Sequence, residues 1–273
     1  MISRLANPAR FMRVSGKVLP WLAPLTAIVL AAGLYWVLTR VPPDCWQGGS
    51  VRIMFVHVPS AWLALQTYLF VAAASAVALV WRHPLAEIAA QEAAPIGAAI
   101  TFVCLVTGSL WGRPMWGTWW VWDVRLTSVL ILFFLYLGYI ALVSAFDDPS
   151  RGGRAGSIVA VVGVVLLPVI KFSVETWWWR MFDWWGLSNS PLAKTLHQPA
   201  SVLRLGGPTI DASMLVPLLV MGLGFTLLFA TLLLLRMRAA LNERRARTLV
   251  LQGSVRGEAP LPAARPATPV RPR

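Results

Sequence analysis

Residues 126–146 read LTSVLILFFLYLGYIALVSAF, a run with no Asp, Glu, Lys, Arg or His, closed by Arg125 at one end and Asp147 at the other. Its length matches the roughly 20 residues that an α-helix needs to cross hydrocarbon. Outward from it, apolar blocks of spanning length occupy about 20–40, 59–81, 94–111, 155–175 and 212–236. The pattern predicts an all-α polytopic membrane protein of six transmembrane helices. Composition agrees. The 273 residues are 58% hydrophobic and 13% charged, with a mean hydropathy of +0.67, too apolar for a soluble domain.

The charges decide orientation. A formal net charge of +13 would suit nucleic acid, but the basic residues flank apolar blocks, and positively charged segments stay cytoplasmic. Arg4, Arg10, Arg13 and Lys17 precede the first span, and Arg236, Arg238, Arg244, Arg245 and Arg247 follow the last. Both termini are therefore expected in the cytoplasm. That places about 41–58, 112–125 and 176–211 on the outer side and short links near 82–93 and 147–154 on the inner side. Three regions follow: a basic N-terminus over 1–19, a six-helix core over 20–236, and a basic, Pro/Ala-rich tail over 237–273. After about Gly253 the tail has no apolar periodicity with which to bury a core, and disorder is expected there. The first span follows basic residues but lacks a small-residue cleavage site, so it reads as retained. Cys45 and Cys104 fall in different environments, which argues against a disulfide or a redox pair. There is no P-loop, so an ATP-driven step would need another subunit.

Between the third and fourth blocks the sequence runs Trp111-Gly112-Arg113-Pro114-Met115-Trp116-Gly117-Thr118-Trp119-Trp120-Val121-Trp122-Asp123, with five indoles. Tryptophan anchors membrane surfaces generally, because its ring is apolar and its N–H polar. Here the distribution is uneven. Trp46, Trp62, the five above and Trp177, Trp178, Trp179, Trp184 and Trp185 map to the outer side or its edge, whereas Trp21 and Trp81 lie inside. Trp116, Trp119, Trp120 and Asp123 have i, i+3, i+4, i+7 spacing, which would put them on one face of a short interfacial helix. Such a face would be a flat aromatic shelf suited to a porphyrin. Gly112 and Gly117 would admit a planar ligand to the backbone, or serve a turn.

Of the three histidines, His83 lies inside, while His57 and His197 lie outside, on the loops flanking the Trp segment. Two imidazoles from opposite sides would saturate a haem iron and favour binding over oxygen chemistry. Each alone is also an ordinary surface histidine. Zinc has less support, because no close Cys/His cluster or HExxH spacing occurs. Arg52, Arg113 and Arg125 are available to pair with propionates, or with phospholipid headgroups. Lys171 and Glu175 read as a structural i,i+4 pair.

The run from Trp111 to Asp123, continued by Val124-Arg125-Leu126-Thr127-Ser128, strongly resembles the tryptophan-rich signature of the bacterial haem-handling family of cytochrome c maturation. The similarity extends to Arg52-Ile53-Met54-Phe55-Val56-His57-Val58-Pro59, to Ala94-Pro95-Ile96-Gly97-Ala98, and to Thr195-Leu196-His197-Gln198-Pro199. The resemblance implies that His57 and His197 are axial ligands of a non-covalently bound, b-type haem. It implies that Trp111, Gly112, Trp116, Gly117, Trp119, Trp120, Trp122 and Asp123, with Arg52 and Arg125, hold the porphyrin. The implied function is delivery of haem, at the periplasmic face of the inner membrane, to the chaperone CcmE. The implied partners are CcmE, the small membrane protein CcmD and the ABC components CcmA and CcmB. One departure is an extra segment around 179–193, next to His197.

Rival readings remain at this level. A cytochrome b-like electron carrier would be expected to place histidines deep in its spans, and none lies there. A transporter subunit conducting haem or another substrate through its bundle would favour polar residues along a mid-membrane path. No residue is an evident acid, base or nucleophile, so no independent enzymatic activity is assigned.

Overall fold

The computed structural model describes residues 7–181, 183, 186, 195, 197 and 210–255. Its helices are α1 (Pro8–Thr39), α2 (Met54–Trp81), α3 (Pro84–Trp116), α4 (Val124–Ser144), α5 (Pro149–Gly163), α6 (Leu166–Phe172), α7 (Thr176–Arg180) and α8 (Ala212–Val255), with a 3-10 turn at Gly49–Ile53 leading into α2. Six candidate spans result, because α5 and α6 together make one over Ser150–Phe172. The chain is a multi-pass membrane protein, and among its described residues the only extended pairing is a single Asp44–Gly48 bridge.

The helices outrun the apolar blocks, and local chemistry explains where they stop. α1 begins at Pro8 because the Asn7 side chain accepts from Ala9 and Arg10 N–H at 2.9 and 3.3 Å, an N-cap with proline at the first helical position. α3 starts ten residues before the block at 94, since the link between α2 and α3 is only Arg82 and His83. His83 Nδ1 accepts from Ala86 N–H at 3.2 Å, and Ala89, Ala90, Ala93 and Ala94 are buried. Small side chains there let α3 pack closely on α2, its most extensive partner. Near Pro168 the fifth span breaks. Val164 O would ordinarily receive the N–H of residue 168, which proline lacks. It accepts from Leu167 N–H at 3.0 Å instead, and Val164 and Val165 bond three residues back to Val161 and Val162.

The bundle extends past both boundaries expected for the core. α8 runs on beyond 236 through basic residues to Val255, two residues past Gly253, after which disorder is expected from the sequence. Arg236 pairs with Glu92 at 3.0 Å and Arg244 reaches Gln91 at 3.2 Å, which ties α8 to α3, while Arg247 pairs with Glu243 within α8 itself. The basic N-terminal stretch likewise joins the bundle, with Arg238 donating to Met12 O at 2.6 Å and Ser15 Oγ at 2.9 Å. Midway along the same helix pair, Thr26 and Thr231 share a buried hydrogen bond of 2.9 Å.

The core lies between α2, α3 and α4. Tyr68 and Tyr136 meet edge to face at 5.1 Å, and Tyr136 donates to Ala64 O at 2.8 Å. A Cβ at Gly97 would collide with the Tyr136 ring and one at Gly163 with the Tyr68 hydroxyl. This close packing gives α2, α3 and α4 a fixed relation, and their common end carries the site.

Candidate functional site

His57 is not in a loop. It occupies the fourth position of α2 and is half-buried against α3. Its Nδ1 lies 3.1 Å from Cys104 O and 3.2 Å from Thr107 Oγ1. A carbonyl can only accept, so Nδ1 carries the proton and Nε2 is left with its lone pair. Gly108 makes this possible, since a Cβ there would stand 2.8 Å from the His57 Cε1. On the other side the ring meets Trp111 edge-on at 5.7 Å, and Trp111 Nε1 donates to Gln47 Oε1 at 3.0 Å. A helix pair, an indole and a loop amide thus fix this imidazole.

The Trp segment is not an interfacial helix. α3 continues through Trp116 and stops at Gly117, whose φ of +74° is left-handed and favours glycine. Arg113 donates back to Gly117 O and lies 5.9 Å over the Trp119 ring. Residues 118–123 then run without regular structure into α4. The i, i+3, i+4, i+7 shelf therefore does not form, because the helix ends after its first member. Gly117 serves the turn, and Gly112 packs internally, where a Cβ would meet Trp116 and Thr118 O at 3.2 and 3.3 Å. Trp119 and Trp122 are exposed at the rim, at 55% and 74%. Trp120 meets Trp122 edge-on at 5.6 Å, with its buried Nε1 lacking a hydrogen-bond partner among the described residues.

Asp123 is buried, 3% exposed, and has a double task. Its Oδ1 accepts from Leu126 N–H at 2.7 Å, capping α4, while its Oδ2 accepts from the Thr195 hydroxyl. Thr195 Oγ1 in turn accepts from His197 N–H at 3.2 Å. His197 Nδ1 stands 3.8 Å from Asp123 Oδ2, outside hydrogen-bond distance, with no hydrogen-bond partner among the described residues. Burial pushes the Asp123 carboxyl up, but the His197 ring, the Thr195 hydroxyl and the Leu126 N–H outweigh it and hold the group below the usual carboxylate range. The His197 ring meets Trp116 edge-on at 4.9 Å. The last residue of the Trp segment is a tether for the second histidine rather than a wall of the shelf.

The two imidazoles lie against the same end of α3, each ring wedged by one of its indoles, Trp111 for His57 and Trp116 for His197. Among the described residues no hydrogen bond reaches Nε2 of either ring. The Arg125 guanidinium makes no hydrogen bond or ion pair there, and Arg52, whose Nη2 reaches Val41 O at 3.5 Å, has a buried Nε without a partner. Two free imidazole nitrogens and two under-used guanidiniums fit an iron porphyrin with its two propionates. No group of three or more metal-binding side chains occurs among the described residues, whereas a porphyrin iron needs only two donors from the protein.

A family model described as Heme exporter protein C (CcmC) matches residues 1–252. The chain belongs to this family. The Heme exporter protein C of Bradyrhizobium diazoefficiens is 55% identical over 252 residues, 92% of this chain and 89% of that protein. Those of Haemophilus influenzae and Escherichia coli K12 are 47% and 46% identical, covering 89% and 87% of this chain and 92% and 89% of their own lengths. Within this family frame, Cys104 O, Thr107, Gly108 and Gln47, which position His57 and Trp111, escaped the sequence reading. A glycine inside a helix three residues before Trp111 was the available signal. Thr195 stood beside His197 in sequence, but its bond to Asp123 joins residues 72 apart. Trp184, Trp185 and most of the extra segment 179–193 lie outside the described residues.

Proposed function

We propose that this protein holds a b-type haem non-covalently at the periplasmic face of the inner membrane and delivers it to the chaperone CcmE during c-type cytochrome biogenesis, in a complex with CcmA, CcmB and CcmD. The observation that carries the reading is the pair of imidazoles against the indoles of Trp111 and Trp116, His57 oriented through Nδ1 and His197 held through its backbone N–H by Thr195 on Asp123, with no hydrogen bond to either Nε2 among the described residues. The names of the relatives support haem as the cargo.

When bound, haem would contribute its iron, which two neutral imidazoles saturate. His57 Nε2 and His197 Nε2 would hold that iron. Arg52 and Arg125 would neutralise the propionates, and Trp111, Trp116 and Trp120 would exclude water beside the metal. Trp119 and Trp122, exposed at the rim, would meet the incoming chaperone. Handover needs only a modest preference: about 1.4 kcal/mol in favour of the chaperone shifts occupancy tenfold.

The test is transfer itself. Co-expression of the full chain with the other maturation components should load the chaperone with covalent haem, read by haem staining after denaturing electrophoresis. His57→Ala and His197→Ala variants present at equal membrane levels should abolish loading. Unchanged loading with both variants would rule this function out for these residues.

A further inference from the structure

At the end of the bundle remote from the Trp segment, α2 turns into α3 through Arg82 and His83, and Arg82 takes a left-handed conformation, φ 51°. The first turn of α5 lies alongside. Between them is a recess of about 380 Å³ whose walls include Ala78, Leu79, Arg82, Glu87, Ser150 and Arg154. The Arg82 and Arg154 guanidiniums make no hydrogen bond or ion pair among the described residues. Five other arginines of this end, Arg151, Arg236, Arg238, Arg244 and Arg247, have partners.

Glu87 does not quench the pair. It is turned to the wall, where its Oε1 accepts from Gln91 Nε2 at 3.1 Å and lies against the backbone of Gly153. Two guanidiniums thus outnumber one engaged carboxylate among the recess walls. Ala78 and Leu79 make one wall apolar. The adjoining Trp81 is 57% exposed, and an indole at a helix end marks headgroup depth. A soluble anion would use the guanidiniums and waste the apolar wall. An amphiphile uses both.

We propose that this recess is a binding site for the phosphodiester headgroup of an anionic phospholipid, with Arg82 and Arg154 on the phosphate and Leu79 against the glycerol and upper acyl chain. Such a lipid would brace the α2–α3 turn against α5.

The full-length protein would be purified from bilayer discs holding equal phosphatidylglycerol and phosphatidylcholine, and retained lipid counted by native mass spectrometry. The expected result is selective retention of phosphatidylglycerol. It should fall roughly tenfold or more in an Arg82→Gln/Arg154→Gln double variant and be partly restored by Arg82→Lys/Arg154→Lys. An Arg10→Gln/Arg13→Gln control, which removes as much charge from the same end, should leave it unchanged. Equal loss in that control, equal retention of both lipids, or full retention by the double glutamine variant would overturn the proposal. Displacement by excess inorganic phosphate with no preference between lipids would also overturn it, in favour of a soluble anion.

Discussion

The two histidines are held in opposite ways. His57 sits within a helix, its Nδ1 bonded to the backbone of another helix across a glycine contact, and its position is inherited from the packed α2–α3 pair. His197 is held by a relay of side chains, through Thr195 to Asp123, with its own ring 3.8 Å from the carboxylate. Side-chain tethers open at lower cost than packed helices. Under the proposed function, the difference teaches how a carrier that must release its cargo could keep one rigid ligand and one adjustable ligand, with His57 fixing the iron and His197 yielding.

The largest effect that would sharpen this contrast lies at Gly108. Replacing Gly108 with Val forces a side chain into the His57 ring, and haem retained after purification should fall roughly tenfold or more, the usual cost of disturbing a residue that orients a metal ligand. Full retention would mean that the helix-pair contact does not fix His57. Asp123→Ala should follow closely. It removes the α4 cap, worth ~1 kcal/mol, together with the His197 tether, so both melting temperature and haem occupancy should drop, while Asp123→Asn should keep more of the former than of the latter.

Acid titration separates the two regions further. The folded Asp123 carboxyl titrates below its unfolded value of about 3.9. Its contribution is therefore present at all pH above about 4 and is lost as pH falls through the still lower folded value. The stability gap between the parent and Asp123→Asn should hold constant from neutral pH to about 5 and close only in stronger acid. A gap that closed near pH 6 would contradict the assignment. Thr195→Val should cost less, a few-fold in haem retention, because the α4 cap remains. The smallest change belongs to Trp122→Ala. An indole 74% exposed should alter stability by no more than about 0.5 kcal/mol, so a defect in loading the chaperone with haem retention intact would place Trp122 at the docking surface.

The spans were legible because an uncharged run such as 126–146 has few other uses. Their ends were not, since α1, α3 and α8 extend through charged residues whose partners, such as Glu92 for Arg236, lie on other helices. The histidines and the Trp segment were legible as residue types. Their arrangement escaped because periodicity assumes a continuous helix, and a single positive φ at Gly117 ends it. His57 was assigned to a loop because the apolar block begins at Pro59, whereas the helix starts at Met54 and carries that proline within it. The Asp123–Thr195 bond depends on how the chain returns over 72 residues, which no local pattern encodes.

The central claim, two axial imidazoles of unequal rigidity, is tested most directly by the visible spectrum of the purified protein in detergent with the haem chaperone present. The parent should show low-spin haem, His197→Ala should retain haem that has become high-spin, and His57→Ala should lose most of it, with all three equally folded by circular dichroism. An unchanged low-spin spectrum in both variants, or a parent that holds no haem, would contradict the account.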